Sequence, residues 1–441
     1  MLDKIKDKIQ YFRQHKFVQQ ALVLQTGNLA GNFAQALIGV FLARFLQPHL
    51  FGIYSIAISL GSLASLFLGF GAFNAAAPLL GEHYVKKEIH IVREILGFLI
   101  KMVIWSGILG LAYMAILPWI GLRFYGDMMI GLYAGLAVIA LILASTSWSF
   151  LLLCLQLVDK VKTMAQFTAA DQFLRYGFTL IFVLVGFGVV GAVSGQAVGA
   201  AAIVIAAATY WKKLRHEHSI FPSFKNLIIL AKNVSFKKYF GFTFWVTIDR
   251  NMGNFYMTLP VVLAGVYVSA TEVTYFKLAF GYINLVMSLL GPISTLLNME
   301  FSKMKAESQD TLARNFIKIS MYAMGLSALL TVVAVAVSPI AFRILYGINF
   351  MPSVKYVAGF FVYGTLFGIG VGLGPMWRTI NKVKVSILIN TIILAVGIPT
   401  GILLIKQFGN WGAVIMVTLW FTVSHFISFV YLYKKLKAKS I

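Results

Sequence analysis

Apolar runs of twenty or more residues recur along the whole chain, as in "SILINTIILAVGIPTGILLI" at 386–405. Each is long enough to cross about 30 Å of hydrocarbon as a helix. Mean hydropathy is +0.85 and only 12% of residues are charged, whereas soluble proteins carry about 25%. The reading is therefore an all-α membrane protein. Twelve spans are expected near 22–46, 51–80, 95–120, 129–157, 163–186, 189–210, 240–266, 273–298, 316–345, 351–377, 385–405 and 410–433.

The formal net charge of +23 could suggest nucleic acid, but basic residues collect in cytoplasmic loops of membrane proteins. Lys4, Lys6, Lys8, Arg13 and Lys16 share one side with Lys86, Lys87, Arg93, Lys160 and Lys162. The 211–239 segment and the C-terminal Lys434, Lys435, Lys437 and Lys439 fall on that side too. The other side has little beyond Arg44, Arg123, Arg343 and Lys406. Both termini are thus expected in the cytoplasm, which requires an even number of spans. Leu2, Ile5, Ile9 and Phe12 form one stripe among lysines, so residues 1–20 read as an interfacial helix rather than a cleavable signal peptide.

The sequence repeats itself. "GVVGAV" (188–193) recurs as "GNWGAV" (409–414), Pro118 as Pro339, "FYGD" (124–127) as "LYGI" (345–348) and Tyr54 as Tyr275, all shifted by 221. "VDKVK" (158–162) recurs as "INKVK" (380–384), and "WKKL" (211–214) as "YKKL" (433–436), shifted by 222. The expected organisation is an N-lobe at 21–210, a cytoplasmic linker loop at 211–239 and a C-lobe at 240–441. An even six spans per half inserts both halves the same way up, as parallel repeats. That arrangement suits a secondary transporter working by alternating access.

Several chemistries lack their residues. There is no "GK" dipeptide and hence no P-loop, no HExxH, and the single Cys154 lies in an apolar run. "RHEHS" (215–219) reads as a solvated loop rather than a metal site. No catalytic residue, metal site or cofactor is expected.

What stands out is polar residues inside spans. "VTIDRNMGNFY" (246–256) places Asp249, Arg250, Asn251 and Asn254 in span 7. Counted from Phe240, Arg250 lies about 15 Å deep, near the midplane. A charge there costs about 2.5–3.5 kcal/mol even on the lenient scale, so it is expected to face the bundle interior or a wet cavity. In span 5, Asp171 and Arg175 are four apart and about 18 Å deep, either a satisfied intrahelical pair or cavity residues. In span 1, Asn28, Asn32 and Gln35 form a polar stripe that the 221 shift sets opposite span 7. Interhelical hydrogen bonding is the alternative use of that stripe. His425 reads as a packing histidine, with proton transfer as the alternative. Gly191, Gly195 and Gly199, like Gly364, Gly368 and Gly372, have the four-residue spacing of close helix packing. Pro78, Pro260, Pro292, Pro375 and Pro399 are expected to bend their spans.

The stretch "ARFLQPHLFGIYSIAISLGSLASLFLGFGAFNAAAPLLGEHYVKKE" (43–88) resembles the first loop and second span of polysaccharide and oligosaccharide flippases. These form the O-antigen flippase-like polysaccharide transport family of the multidrug/oligosaccharidyl-lipid/polysaccharide exporter superfamily. An "LGPxxFGLY"-like turn follows an Arg there, and "FLQPHLFGIY" keeps Pro48, Phe51, Gly52 and Tyr54. "LYGINFMPSVKYV" and "RTINKVKVSILINTIILAVGIPTGILLIKQFGNWGAV" resemble the family's final third. The resemblance implies a MATE-like fold of two six-helix lobes in a bacterial inner membrane. It also implies transport of a polyprenyl-diphosphate-linked oligosaccharide from the inner to the outer leaflet, and a cationic central cavity.

On that reading Arg250 and Arg175 hold the diphosphate, and Asn28, Asn32, Gln35 and Asn254 contact the sugar. Asp249 and Asp171 serve a coupling ion, Na+ or H+. Membrane lipids and polysaccharide assembly proteins are the expected partners, and nucleic acid is not. A cation-coupled multidrug exporter would instead use Asp249 and Asp171 as cation sites. A membrane glycosyltransferase or polymerase is the third class.

Overall fold

A computed structural model describes residues 16–66, 68 and 72–437; within these, the side chains at 16–30, 32–34, 74–75, 146, 240, 242–243, 245–246, 249–250 and 299 are outside the description. The interfacial helix expected over 1–20 lies mostly outside the described residues. The described residues form seventeen α-helices, four short 3-10 or π segments and no strand. The N-terminal half holds α1 Lys16–Ser65, α2 Ala72–Val85, α3 Ile89–Tyr125, α4 Met128–Ile142, α5 Trp148–Leu157, α6 Val161–Phe182, α7 Gly188–Glu217 and α8 Phe224–Asn233. The rest are α9 Phe236–Tyr267, α10 Ala270–Met287, α11 Gly291–Glu307, α12 Gln309–Leu345, α13 Ser353–Gly359, α14 Phe361–Val371, α15 Leu373–Thr379, α16 Val383–Phe408 and α17 Asn410–Lys437.

Among the described residues, eight helices are long and apolar enough to cross a membrane, or nine if α13 and the helix bent 50° from it form one span. That count treats Val161–Glu217 as one helix. The chain turns back at Gly186 (φ 98°) and Gly188 (φ 54°), values open to glycine without strain. Gly195 of α7 then lies against α6, where a Cβ would sit 2.5 Å from the Thr179 Cα. α1 is likewise interrupted at Gln47 (φ 59°, ψ 167°), one residue before Pro48 restarts the helix. Counted between turns among the described residues, the arms are 16–46, 48–66 with 72–85, 89–125, 128–157, 161–187, 188–217, 236–267, 270–307, 309–345, 348–379, 383–408 and 410–437, the expected twelve.

The internal repeat is written in the backbone. Asp159 (φ 59°) and Asn381 (φ 55°) are both left-handed. Each follows a helix closed in the same way, by Lys160 N–H on Leu155 O and Lys382 N–H on Trp377 O, both 2.9 Å. Gly188 (φ 54°, ψ −134°) and Gly409 (φ 56°, ψ −132°) make the same hairpin turn. Helix starts follow local chemistry as well. Asp127 caps α4 by accepting from Met129 N–H at 2.8 Å, and Ser269 caps α10 from Glu272 N–H at 3.3 Å.

The chain divides into two compact units, 1–46 with 60–250, and 47–59 with 251–441. The division falls inside α9 rather than at position 240, and it assigns 47–59 to the second unit. The contacts of that segment explain the assignment: Gly52 lies against the Ala270 backbone too closely for any side chain, and Thr274 Oγ1 donates to Pro48 O at 2.6 Å.

The 211–239 segment is a correction to the expected linker loop. α7 runs on to Glu217, and α8 turns Leu227 and Ala231 into the first unit's core beside Trp211, Phe221 and Val234. Arg93 of α3 donates to the carbonyls of Ile220 (3.2 Å) and Ser219 (2.9 Å), and Lys101 donates to Val234 O at 2.7 Å. Lys238 bonds both Glu94 oxygens, at 2.7 and 2.9 Å, and that bond raises the Lys238 pKa. The apolar spacing i, i+4 within one ten-residue helix is too short a signal to stand out between lysines. Pro292 and Pro375 stand in the first turns of α11 and α15, directly after breaks inside the 270–307 and 348–379 arms.

Candidate functional site

In the first unit the candidate residues Asp171 and Arg175 stand on α6. They lie one turn apart on it, with the acid N-terminal, the favourable order. Arg175 Nε donates to Asp171 Oδ1 at 2.8 Å and Nη2 to Oδ2 at 2.5 Å, a fork on a carboxylate. The side chains are 7% and 19% exposed, so this is a nearly buried pair. Two of the five guanidinium hydrogens are thereby used.

The pair sits where helices come close. Gly199 of α7 meets the Arg175 backbone with no room for a Cβ. Thr179 Oγ1 donates to Arg175 O at 2.7 Å and also approaches Ala192 O at 3.3 Å. On the same helix Gln172 lies against Gly31 of α1, with Oε1 buried and unpartnered. Gly31 precedes Gln35 by one helical turn, so α6 meets the face of α1 that bears Gln35. Gln35 itself is exposed. The side chains of Asn28 and Asn32 are outside the described residues.

In the second unit Asn254 is exposed, and its Nδ2 donates to Asn251 Oδ1 at 3.4 Å. The side chains of Asp249 and Arg250 are outside the described residues, and their backbone lies in α9. The structure therefore brings together Asp171 with Arg175, and Asn251 with Asn254.

The structure also pairs polar groups within the second unit, among them Lys277, whose place near the outer end of span 8 suggests snorkelling. Tyr363 Oη donates to Asn284 Oδ1 at 2.6 Å. Ser424 Oγ donates to Asn390 Oδ1 at 2.7 Å. Glu272 accepts from Tyr356 Oη at 2.9 Å and from Asn410 Nδ2 at 2.7 Å. Arg378 Nη1 donates to Asn298 Oδ1 at 3.1 Å. Lys277 Nζ bonds Ser59 Oγ at 3.3 Å. Each joins helices inside the second unit, which is the packing use of a polar group in a span. Their signal was available, since Asn284, Asn298 and Asn390 are lone amides in apolar runs. The His425 ring lies between Phe367 and Phe421 against Gly370, and its Nδ1 is buried without a partner. No cluster of three metal-ligating side chains occurs among the described residues.

Among curated proteins, none matches the chain by sequence. An inward-facing multidrug resistance MATE family transporter of the MOP superfamily superposes with a TM-score of 0.67 at 14% identity, covering 92% of this chain and 95% of that one. The lipid II flippase MurJ, in an inward closed conformation, gives 0.68 at 14% identity over 93% of this chain and 87% of that one. A MOP superfamily transporter from Pyrococcus furiosus gives 0.58 at 14% identity, covering 96% of each chain. At such identities the likeness establishes the fold, which is MATE-like. Residues 17–297, more than half of the sequence, match the family described as polysaccharide biosynthesis protein. The chain belongs to that polysaccharide biosynthesis protein family.

Proposed function

We propose that the chain is a flippase that moves a polyprenyl-diphosphate-linked oligosaccharide from the inner to the outer leaflet of a bacterial cytoplasmic membrane by alternating access. The observation that carries this reading is the family match over residues 17–297 on a chain of transporter fold. The fold shared with a lipid II flippase supports a lipid-linked cargo. Arginine suits a diphosphate because its planar fork bonds two oxygens at once. Arg250, by depth in α9, and Arg175, beside Asp171 on α6, are the residues assigned to the headgroup. Asn28, Asn32, Gln35 and Asn254 are assigned to the sugar. Asp249 and Asp171 are assigned to a coupling Na+ or H+, and polysaccharide assembly proteins are the expected contacts. The test is Arg250→Gln with surface glycan assayed at matched expression. Loss of glycan is expected, and normal glycan removes Arg250 from the role.

The fold shared with multidrug transporters favours a second reading, cation-coupled drug export through Asp249 and Asp171. Deleting the gene separates the two: drug sensitivity with unaltered glycan supports export, whereas glycan loss without drug sensitivity supports the flippase.

A further inference from the structure

The described charges of α3 mark a membrane register. Between Lys101 and Arg123 the helix carries no charge over the 21 residues from 102 to 122. At about 1.5 Å per residue these span about 32 Å, one hydrocarbon thickness. Trp105 and Trp119, near the two ends of that stretch, are 45% and 60% exposed, as in an aromatic belt. One hydrocarbon boundary therefore lies beside Lys101, on the side of the lysine-rich loops.

α8 sits at this boundary. A Cβ at Gly97 of α3 would lie 2.9 Å from the Leu230 Cβ, and Lys101 Nζ holds the carbonyl of Val234 just beyond the helix end. Leu227 and Ala231 face the core. Next to that buried arc come Phe224 and Ile228, 45% and 49% exposed, and then the exposed Lys232 and Lys225. Successive 100° steps place these four side by side around the helix, with Ile229, 48% exposed, beyond Lys225 and Asn233 and Asn226 on the far side. The helix "FKNLIILAKN" contains no acid, and the nearby Glu94 and Glu217 are paired with Lys238 and Lys160.

We propose that α8 lies in the membrane interface and binds anionic phospholipid of the leaflet on the lysine-rich side, with Phe224 and Ile228 in the acyl boundary and Lys225 and Lys232 on the phosphates. An apolar strip bordered on its exposed side by two lysines, held at headgroup depth by a neighbouring span, is the arrangement that such lipids recognise. The partner is the lipid surface. The site is separate from the residues assigned to transport.

The experiment uses the full chain in nanodiscs of phosphatidylcholine with 0 or 30% phosphatidylglycerol. An environment-sensitive fluorophore is placed at Ile228→Cys, and at Asn226→Cys as the far-side control; the native Cys154 is buried and does not compete for label. The Ile228 probe is expected to report an apolar environment and the Asn226 probe a wet one. Brominated phosphatidylglycerol is expected to quench the Ile228 probe more strongly than brominated phosphatidylcholine. The Lys225→Gln/Lys232→Gln double variant is expected to erase that preference, at about fivefold per lysine. A wet Ile228 probe in both lipids overturns the interfacial placement. Equal quenching by the two lipids overturns the anionic assignment.

Discussion

The α6–α7 hairpin of the first unit and the α16–α17 hairpin of the second share one backbone plan. Each turns at a glycine of φ near 55°, and each brings a glycine, Gly191 or Gly412, against a carbonyl of the preceding helix, that of Phe182 or Leu404. One and two turns further the fillings are exchanged. In the first hairpin Gly195 and Gly199 on the second helix face Thr179 and Arg175. At the equivalent positions of the second hairpin, Met416 and Trp420 face Gly401 and Gly397. Small meets large in both, with the large residue on opposite helices. Asp171 and Arg175 have Ile393 and Gly397 as counterparts, so the buried ion pair belongs to one half only. The repeat fixes where helices touch, whereas the residues at those contacts decide which hairpin carries charge.

The comparison breaks most severely at Gly199→Leu. Its Cβ would stand 2.4 Å from the Arg175 Cα, and backbone cannot rotate away as a side chain can, so the cost goes well beyond the about 1–3 kcal/mol of ordinary overpacking. The expected outcome is a large loss of folded protein, measured by size-exclusion yield and thermal melting in detergent. The sharper form is the triple variant Asp171→Ile/Arg175→Gly/Gly199→Trp, which writes the second half's contact into the first. It is expected to fold better than Gly199→Leu and to lose glycan export; export at the native level would make the ion pair dispensable.

Next in size is Arg175→Gln alone. It leaves Asp171 buried without its partner, a change that costs about 3–5 kcal/mol in buried pairs, and the 19% exposure of Arg175 points to the lower end. Asp171→Asn added to it is expected to recover much of the melting temperature, a coupling that a double-mutant cycle measures. In the second hairpin Gly397→Leu meets the Trp420 ring. It is expected to destabilise by about 1–3 kcal/mol, with export per folded molecule unchanged. The smallest effect is Lys160→Gln. Glu217 has its pKa lowered from 4.5, first by the Lys160 hydrogen bond. The pair's contribution is therefore complete at neutral pH and fades as pH falls through that depressed value. In an exposed pair the melting shift is expected to be near the limit of detection.

The twelve arms and the repeat were legible because long apolar runs and recurring turn glycines are strong local signals. Asp171 and Arg175 were legible as a possible pair, since i, i+4 spacing states the geometry before any fold is known. Helix α8 was not, because ten residues with two buried positions look like a basic loop until α3 stands beside them. Nor was the transfer of 47–59 to the second unit, which depends on Gly52 meeting Ala270 far away in sequence. The Tyr363–Asn284 and Ser424–Asn390 bonds escaped for the same reason, because a lone amide in a span does not name its partner.

The central claim is transport of a lipid-linked oligosaccharide, and reconstitution tests it most directly. The purified full chain is placed in proteoliposomes loaded on one leaflet with a fluorescent polyprenyl-diphosphate-oligosaccharide, and its arrival on the other leaflet is read by a membrane-impermeant quencher. The account predicts transfer above protein-free liposomes, abolished by Arg250→Gln. Transfer no faster than in protein-free liposomes, by protein shown to be folded, would contradict it.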